Sequence, residues 1–168
     1  MSSFDIGKDK VVEYLVSHDE WRTALDVGAC DGKWKKLLGD RFEMDAVEVF
    51  HPNIINHRLC DLYRNVFWKN IVDFDWYTHY DVIIFGDVIE HLSVEDARKV
   101  IGYAWPRCHE MIVSVPFKFK QGAIYGNDYE RHIQDDLTHD LFMERYHGFE
   151  VLHQEFNYCY YKKRRKDR

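Results

Sequence analysis

Long hydrophobic runs are absent from this sequence of 168 residues. No run reaches the roughly eighteen apolar residues that a transmembrane helix requires, so we expect no membrane span. The first ten residues, MSSFDIGKDK, lack the apolar stretch of a secretory signal, so we expect none. The length fits one domain, which we assign to residues 1–161.

Paired cysteines are also absent. The four cysteines, Cys30, Cys60, Cys108 and Cys159, are far apart, and none belongs to a CxxC pair. Zinc sites and redox pairs need closer spacing, so free thiols in a reducing compartment are the better interpretation. Together with the missing signal, this predicts a cytoplasmic protein.

Basic charge is scarce outside the C-terminus. The formal net charge is −6, and the last seven residues, KKRRKDR, carry six basic residues and one acid, or +5, so the remainder carries −6 − 5 = −11. An acidic body argues against a nucleic-acid substrate, because phosphate contacts need basic residues. We interpret residues 162–168 as a flexible basic tail; the alternative is that the tail contacts RNA, an anionic membrane or a partner protein.

Predicted strands and helices alternate along the chain. Apolar runs predict strands at 23–29, 44–50, 66–71, 81–87 and 111–116, followed by two closing strands at 149–156 and 157–162. Apolar residues at helical spacing and local end signals predict helices at 11–18, 33–42, 52–63, 94–105 and 138–146.

The strand predicted at 81–87 indicates the fold class. Its sequence, DVIIFGD, contains four consecutive apolar residues. Such a run is typical of a strand covered on both faces, as in a parallel sheet between helices. The alternating order with a β-rich end therefore predicts an α/β protein with an open, mostly parallel sheet. The polar connection at 118–136 is longer than usual, and such loops are often functional.

Polar residues and glycines follow the predicted strands, where open parallel sheets bind ligands. Gly28 and Gly32, after the first strand, permit a tight turn and a close backbone approach. Glu48 ends the second strand and can accept two hydrogen bonds from a ribose diol. The pair Asn70–Ile71 can bind and cover an adenine. With Asp87 after the fourth predicted strand, these residues predict a bound nucleoside.

The dinucleotide-binding signature GxGxxG is absent. The loop has the pattern Gly28-x-x-x-Gly32, and Cys30 stands where the middle glycine would make room for a pyrophosphate. The carboxylates of Asp26 and Asp31 would also repel phosphate, whereas they suit a ligand with an amino group and a sulfonium. The pattern therefore disfavours a nicotinamide-dependent oxidoreductase.

Three ordered motifs resemble those of one family. DVGACDG at 26–32 resembles the first motif of class I S-adenosylmethionine-dependent methyltransferases, and Glu48 falls where that family has its acidic ribose-binding residue. DVIIFGDVIEHL at 81–92 resembles the fourth-strand motif of its small-molecule members, including ubiquinone-biosynthesis O-methyltransferases. VSVP fits the fifth strand and HGFEV the usual ending, so the resemblance covers about residues 10–155.

The resemblance implies a fold and a cofactor. The fold would be Rossmann-like α/β, with about seven mostly parallel strands, helices on both faces and an antiparallel C-terminal hairpin. The cofactor would be S-adenosylmethionine, with S-adenosylhomocysteine as product. Glu48 would bind the ribose, Val49 and Ile71 would flank the adenine, and Asp87 would lie near the methionine amino group or sulfonium. The implied cofactor-binding residues are Asp26, Gly28, Ala29, Cys30, Gly32, Glu48, Val49, Asn70, Ile71 and Asp87.

Three residues are candidates for acid–base chemistry. Methyl transfer from a sulfonium mainly requires that the protein align the acceptor and exclude water. A hydroxyl acceptor also benefits from a general base, and His91, Glu90 and His132 are the candidates. Each has a structural alternative: His91 would bridge backbone groups in its turn, Glu90 would orient a neighbour, and His132 would be an exposed loop residue.

The acceptor remains open at this point. The 118–136 loop carries polar side chains that suit a sugar or a hydroxy acid, so we predict O-methylation of a small hydroxyl-bearing metabolite. The alternative is a non-catalytic binding protein that engages a partner through its basic tail. No recognised metal-ligand spacing occurs, so we predict no metal. The polar loop residues are Gln121, Asn127, Asp128, Tyr129, Glu130 and His132.

Overall fold

The structure is a computed structural model that describes residues 5–165. Its strands in this range are β1 (Thr23–Val27), β2 (Glu43–Glu48), β3 (Asn65–Trp68), β4 (Tyr80–Gly86), β5 (Cys108–Pro116), β6 (Glu150–Glu155) and β7 (Tyr158–Arg164). They form one seven-stranded sheet in the order β3-β2-β1-β4-β5-β7-β6. The first five strands pair in parallel, and β7 is antiparallel to both β5 and β6.

Helices cover both faces of this sheet. One apolar cluster joins α1, α2, α3 and α4 to the sheet, and a second joins α5 and α6 to the opposite face. The Rossmann-like fold predicted from the resemblance, with its antiparallel C-terminal hairpin, is confirmed. The helices of the described range are α1 (Lys8–Val16), α2 (Lys33–Leu38), α3 (His51–Asn56), α4 (Leu59–Leu62), α5 (Val94–Ala104) and α6 (His139–Arg145).

Strand β4 is the centre of the sheet and shows why the apolar run is continuous. Val82 and Ile84 belong to the cluster under α1 and α2, whereas Ile83 and Phe85 belong to the cluster under α5 and α6. Alternate side chains of a strand point to opposite faces, so a strand covered on both sides needs apolar residues at every position. All four are fully buried.

The end of β4 leads into α5 as the sequence predicts. The turn Ile89–His91 is a single 3₁₀ turn. Ser93 then caps α5: its Oγ accepts a hydrogen bond from the backbone N–H of Asp96 at 3.0 Å and donates to the Asp96 carboxylate at 2.8 Å. The cap fixes where α5 begins, so the turn that carries Glu90 and His91 stays outside the helix.

Two predicted helices differ from the structure. The helix expected over 52–63 is split into α3 and α4, because Arg58 takes a left-handed conformation with φ 51°. The helix expected over 33–42 ends at Leu38, where a 3₁₀ turn, Gly39–Arg41, replaces its last residues. Propensity alone does not register such breaks, which depend on how each segment packs on the sheet.

The predicted start of the basic tail is also wrong. Strand β7 continues through Lys162 and Lys163 to Arg164, which pairs with Glu110 of β5. These basic residues therefore belong to the sheet, while the predicted tail residues 166–168 lie outside the described range. Within residues 5–165, none of the helices combines the length and apolarity needed to cross a membrane.

The contact between Gly86 and Trp34 gives a test of the fold. A Cβ atom on Gly86 would lie 2.5 Å from Trp34 Nε1, and the ring is rigid and buried. We expect Gly86→Ala to lower the free energy of unfolding by about 1–3 kcal/mol, because the Trp34 ring of α2 would be forced away from β4. Denaturant unfolding measures this change.

Gly102→Ala is the matched control. Gly102 lies inside α5, and a Cβ there meets nothing within 4 Å. Alanine is a better helix former, so this variant should gain about 0.5–1 kcal/mol. Equal stability of Gly86→Ala and the unmodified protein would contradict the packing described for β4 and α2.

Candidate cofactor and acceptor site

A cavity of about 430 Å³ opens at the carboxyl ends of β1, β2 and β4. It brings together most of the predicted cofactor-binding residues, although they span some sixty positions of the chain. Asp26, Ala29 and Gly32 lie outside its lining. The predicted residues that line the cavity are Gly28, Cys30, Glu48, Val49, Asn70, Ile71 and Asp87.

The loop after β1 is folded tightly over the end of β2. The backbone N–H groups of Gly28 and Ala29 donate to the Val47 carbonyl at 2.8 and 3.4 Å. Gly28 has φ 73°, and a Cβ on it would lie 2.7 Å from Val88. Both observations require glycine at this position, because any other residue would strain the backbone and its Cβ would collide with the Val88 side chain.

Glu48 is held from both sides by backbone donors. One carboxylate oxygen accepts from the Cys30 N–H and the other from the Phe50 N–H, each at 2.8 Å. Burial raises the pKa of Glu48, and these two donors oppose that shift. The Asn53 side chain opposes the shift in the same way. A carboxylate has about four lone-pair sites, so capacity remains for a hydroxyl group of a ligand.

Asn70 has a structural contact as well as a place in the cavity wall. Its side-chain oxygen accepts from the Val72 N–H at 3.1 Å and so caps the 3₁₀ turn Ile71–Asp73. An adenine amino group would have to share that oxygen. Ile71 is buried in the core and presents an apolar wall to the cavity.

Asp87 is positioned by two hydroxyl groups behind it. Its backbone is left-handed, with φ 56°, a conformation that aspartate tolerates better than most residues. Its Oδ1 accepts from Ser114 Oγ at 2.9 Å and from the Tyr158 hydroxyl. The carboxylate is therefore fixed at the cavity wall immediately after β4.

Asp26 is part of the wall behind the cavity. Its Oδ2 accepts from the Tyr63 hydroxyl at 2.5 Å, and its Oδ1 has no hydrogen-bond partner among the described residues. Burial raises the pKa of Asp26 to about 7. The side chain therefore supports the loop after β1 from within the core, and its predicted contact with a cofactor stays a prediction.

Glu90, His91 and His132 form a cluster beside the cavity. One carboxylate oxygen and one nitrogen from each ring all lie within 4.8 Å of one another. The two rings meet edge to face with centroids 4.7 Å apart. His91 lines the cavity, whereas Glu90 and His132 lie outside its lining. The three predicted catalytic candidates are thus neighbours in space.

Backbone hydrogen bonds hold the 118–136 loop against the turn after β4. The Glu90 carbonyl accepts from the N–H groups of Ile133 and Gln134, at 2.8 and 2.9 Å. The Gln134 side chain donates to the carbonyls of Ile89 and Leu92, at 2.8 and 3.0 Å. These bonds place His132 opposite the turn and fix the geometry of the cluster.

The protonation states in the cluster follow from burial and from two carbonyl groups. His91 Nδ1 lies 3.2 Å from the Arg131 carbonyl and His132 Nδ1 lies 2.7 Å from the Phe119 carbonyl. A carbonyl only accepts, so both Nδ1 atoms carry the proton. Burial, and next the neighbouring His132, lower the pKa of His91 to about 4. The ring is therefore neutral near pH 7, with Nε2 able to accept.

Glu90 is the most buried polar group of the site. It is 0% exposed, and neither carboxylate oxygen has a hydrogen-bond partner within the described range. Burial, followed by the Asp87 carboxylate, raises the pKa of Glu90 well above its usual range. An isolated carboxylate is costly in such a place unless it is protonated or faces a cation.

Several lining residues were missed by the sequence analysis. The polar loop residues Asn127–Glu130 do line the cavity, as predicted for that loop, but Gln121 does not. Lys69 could have been suspected because it precedes Asn70 at a strand end. Val27 and Gly86 stand within the motifs at 26–32 and 81–92, and Arg131 and Ile133 stand within the 118–136 loop, so these four could also have been suspected. The others carry no local signal, since a helix start or an apolar turn reads as ordinary structure. The missed residues are Val27, Val47, Asn53, Lys69, Val72, Gly86, Val88, Leu92, Ser93, Asp96, Arg131 and Ile133.

Comparisons of sequence with known proteins give no match. No protein-family model matches the chain, and none of the curated proteins matches it either. The structure, in contrast, is similar to many solved structures. Similarity is therefore found in the fold while the sequence has diverged.

Three of these structures illustrate the similarity. An O-methyltransferase family protein from Burkholderia thailandensis matches with TM-score 0.63 and 15% identity over 94% of this chain, which spans 56% of that chain. The N-methyltransferase NodS from Bradyrhizobium japonicum WM9 matches with TM-score 0.66 and 11% identity, over 97% of this chain and 98% of that one.

The third is the N-terminal domain of EvdMO1. It matches with TM-score 0.73 and 11% identity, over 98% of this chain and 83% of that chain, in a crystal structure with SAH bound. A second structure of the same domain was determined in the presence of SAH and D-fucose. At these identities the similarity shows the fold, and this chain has the fold of S-adenosylmethionine-dependent methyltransferases.

Proposed function

We propose that the protein is an S-adenosylmethionine-dependent methyltransferase that methylates a hydroxyl group of a small polar acceptor. The observation that carries the proposal is the convergence of Gly28, Glu48, Ile71 and Asp87 on one cavity. They come from four segments that each end at the carboxyl edge of the sheet. The shared fold with O- and N-methyltransferases supports the same reading.

The cavity fits the parts of S-adenosylmethionine in the order that the strand ends present them. The anchored carboxylate of Glu48 suits a ribose diol, and the apolar wall of Ile71 and Val49 suits an adenine. The close backbone turn at Gly28 and the carboxylate of Asp87 suit a methionine portion, which carries an amino group and a sulfonium. Carboxylates outnumber cationic side chains along the wall, which favours a cationic ligand.

The protein itself takes little part in the covalent chemistry of the reaction. S-adenosylmethionine supplies an activated methyl group when bound: an oxygen–carbon bond forms, the sulfur–carbon bond breaks with its electron pair on sulfur, and the hydroxyl proton leaves to a base. The chain's own residues must align the acceptor oxygen and exclude water. The loop over the cavity and the Glu90, His91 and His132 cluster are the groups placed to do so.

The acceptor is inferred from the polarity of the loop. Asn127, Asp128, Tyr129, Glu130 and Arg131 line the cavity and offer hydrogen-bond donors and acceptors of both kinds. Such a wall suits a sugar or hydroxy acid better than an apolar substrate. The EvdMO1 domain, solved in the presence of D-fucose, has a comparable fold. Residence in the cytoplasm stays a prediction from cysteine spacing.

Replacing Glu48 tests the cofactor assignment. We expect Glu48→Ala to weaken binding of S-adenosylhomocysteine by about tenfold to a hundredfold or more, because hydrogen bonds to a buried carboxylate are worth about 1.5–3 kcal/mol each. Isothermal titration calorimetry measures the affinity. Glu43→Ala is the control, since Glu43 is the exposed residue that begins β2 and pairs with Arg64 on the surface. Undiminished binding by Glu48→Ala would refute the assignment.

Replacing His91 separates transfer from binding. We expect His91→Ala to reduce methyl transfer by about a hundredfold to ten-thousandfold while it retains cofactor affinity, because the ring faces the acceptor end of the cavity. A screen of hydroxylated and amino metabolites with labelled methyl donor identifies an acceptor and provides the assay. His57→Ala, at an exposed position between α3 and α4, is the control. Cofactor binding with no transfer to any acceptor would instead favour a non-catalytic binding protein.

A further inference from the structure

Glu90, His91 and His132 have the composition of a metal site. Two imidazoles and one carboxylate are the ligand set of many catalytic zinc sites and of non-haem iron sites. Their three ligand atoms lie within 4.8 Å of one another. We propose that this cluster binds one divalent transition-metal ion, which holds and activates the hydroxyl group of the acceptor.

The orientation of both rings supports this proposal. His91 and His132 each donate from Nδ1 to a backbone carbonyl, of Arg131 and Phe119 respectively. A metal-binding histidine usually has its second nitrogen tied in this way, because the bond fixes the tautomer and aims the free nitrogen at the ion. These bonds leave Nε2 of each ring free, and one nitrogen of each ring lies within 4.8 Å of the other ligand atoms of the cluster.

Glu90 supplies the second, independent observation. Its side chain is wholly buried, and both carboxylate oxygens lack a hydrogen-bond partner within residues 5–165. Buried carboxylates are normally paired, hydrogen-bonded or bound to a metal. A cation between Glu90 and the two imidazoles satisfies the carboxylate without any change of backbone.

The cluster is built on a rigid frame. The Glu90 carbonyl accepts from Ile133 and Gln134, and the Gln134 side chain bonds to the backbone on both sides of Glu90. Zinc ligands at about 2.1 Å in tetrahedral geometry lie about 3.4 Å apart. The widest pair of ligand atoms, at 4.8 Å, would therefore close by about 1.4 Å when an ion binds. Side-chain rotation is sufficient for this.

The position of the cluster assigns the ion a role, and this step rests on the proposed function. His91 lines the cavity, so an ion bound to it would have an open coordination position on the cavity side. Three protein ligands with one open position are typical of catalytic rather than structural sites. A hydroxyl oxygen bound there loses its proton to solvent water more readily, and the resulting alkoxide attacks the methyl group.

The choice of ion follows from the ligands. Imidazole nitrogen suits zinc, copper, iron and nickel, whereas magnesium, calcium and manganese prefer oxygen ligands. Zinc is therefore the probe and magnesium the negative comparison. The sequence analysis predicted no metal because no recognised ligand spacing occurs along the chain; the proposed site takes two ligands from the turn and one from the loop.

Zinc titration of the full chain, after removal of metal with a chelator, tests the proposal without cofactor or acceptor. We expect one zinc per chain by calorimetry, no comparable binding of magnesium, and a rise in Tm of about 5–10 °C when free zinc is a hundredfold above its Kd. Glu90→Gln and His132→Asn should each weaken zinc binding at least tenfold and abolish the rise. Cobalt(II) gives a visible absorption band that reports imidazole ligation directly.

Glu110→Gln is the matched control for Glu90→Gln. Glu110 is also 0% exposed, and its Oε2 also lacks a hydrogen-bond partner among the residues that the structure describes, but it lies on β5 and outside the cluster of Glu90, His91 and His132. This variant should bind zinc as the unmodified chain does. Absence of saturable zinc binding in the unmodified chain, or equal loss in Glu110→Gln, would overturn the proposal. Zinc binding without binding of S-adenosylhomocysteine would keep the metal site and refute the proposed function.

Discussion

The parallel pairing of β1 with β2 and β4 is the constraint on which the site depends. Val27 is paired with Val47 on one side and with Phe85 on the other, so the three strands end at the same level. Gly28 and Asp87, which follow β1 and β4, and Glu48, which ends β2, therefore meet at one edge. A one-residue slip would turn each strand's side chains to the opposite face and would separate these groups.

Burial of acidic groups at this edge costs free energy, and hydrogen bonds offset that cost for some of the groups but not for others. Glu48 receives two backbone donors and Asp26 receives the Tyr63 hydroxyl, whereas Glu90 receives no hydrogen-bond donor among the described residues. Unfavourable local arrangements that persist in a stable domain are concentrated at functional positions. The contrast between Glu48 and Glu90 is the reason to assign the first to ligand hydroxyls and the second to a cation.

The sequence predicted most strands of the sheet well, because they depend on local patterns, although β3 ends at Trp68 and not at the expected residue 71. The run of apolar residues in β4 and the capping pair of Ser93 and Asp96 are visible in the letters and recur in the structure. The break at Arg58 and the extension of β7 to Arg164 were not predictable in this way. A left-handed residue and a strand made of basic residues are both decided by tertiary packing, which overrides propensity.

The residues of the candidate site also differ in how far the sequence alone predicts their place. The cofactor-binding candidates each follow a strand, so a rule about strand ends finds them one at a time. No such rule finds the cluster of Glu90, His91 and His132. His132 stands 41 positions after His91 and reaches it only through the fold of the loop. Motif spacing therefore could not show that one ligand set takes its members from both segments.

The short turn after β4 links the two halves of the site. Asp87, which the proposed function assigns to the cofactor, lies three residues before Glu90 and four before His91, which it assigns to the acceptor. A methyl group moves only when donor, carbon and acceptor are nearly in line, so small errors in placement are costly. Asp87 is tied to Ser114 and the Glu90 carbonyl to the loop, which fixes both ends of the turn. For the proposed function, the distance between donor and acceptor would therefore be set by a few residues of backbone within one turn.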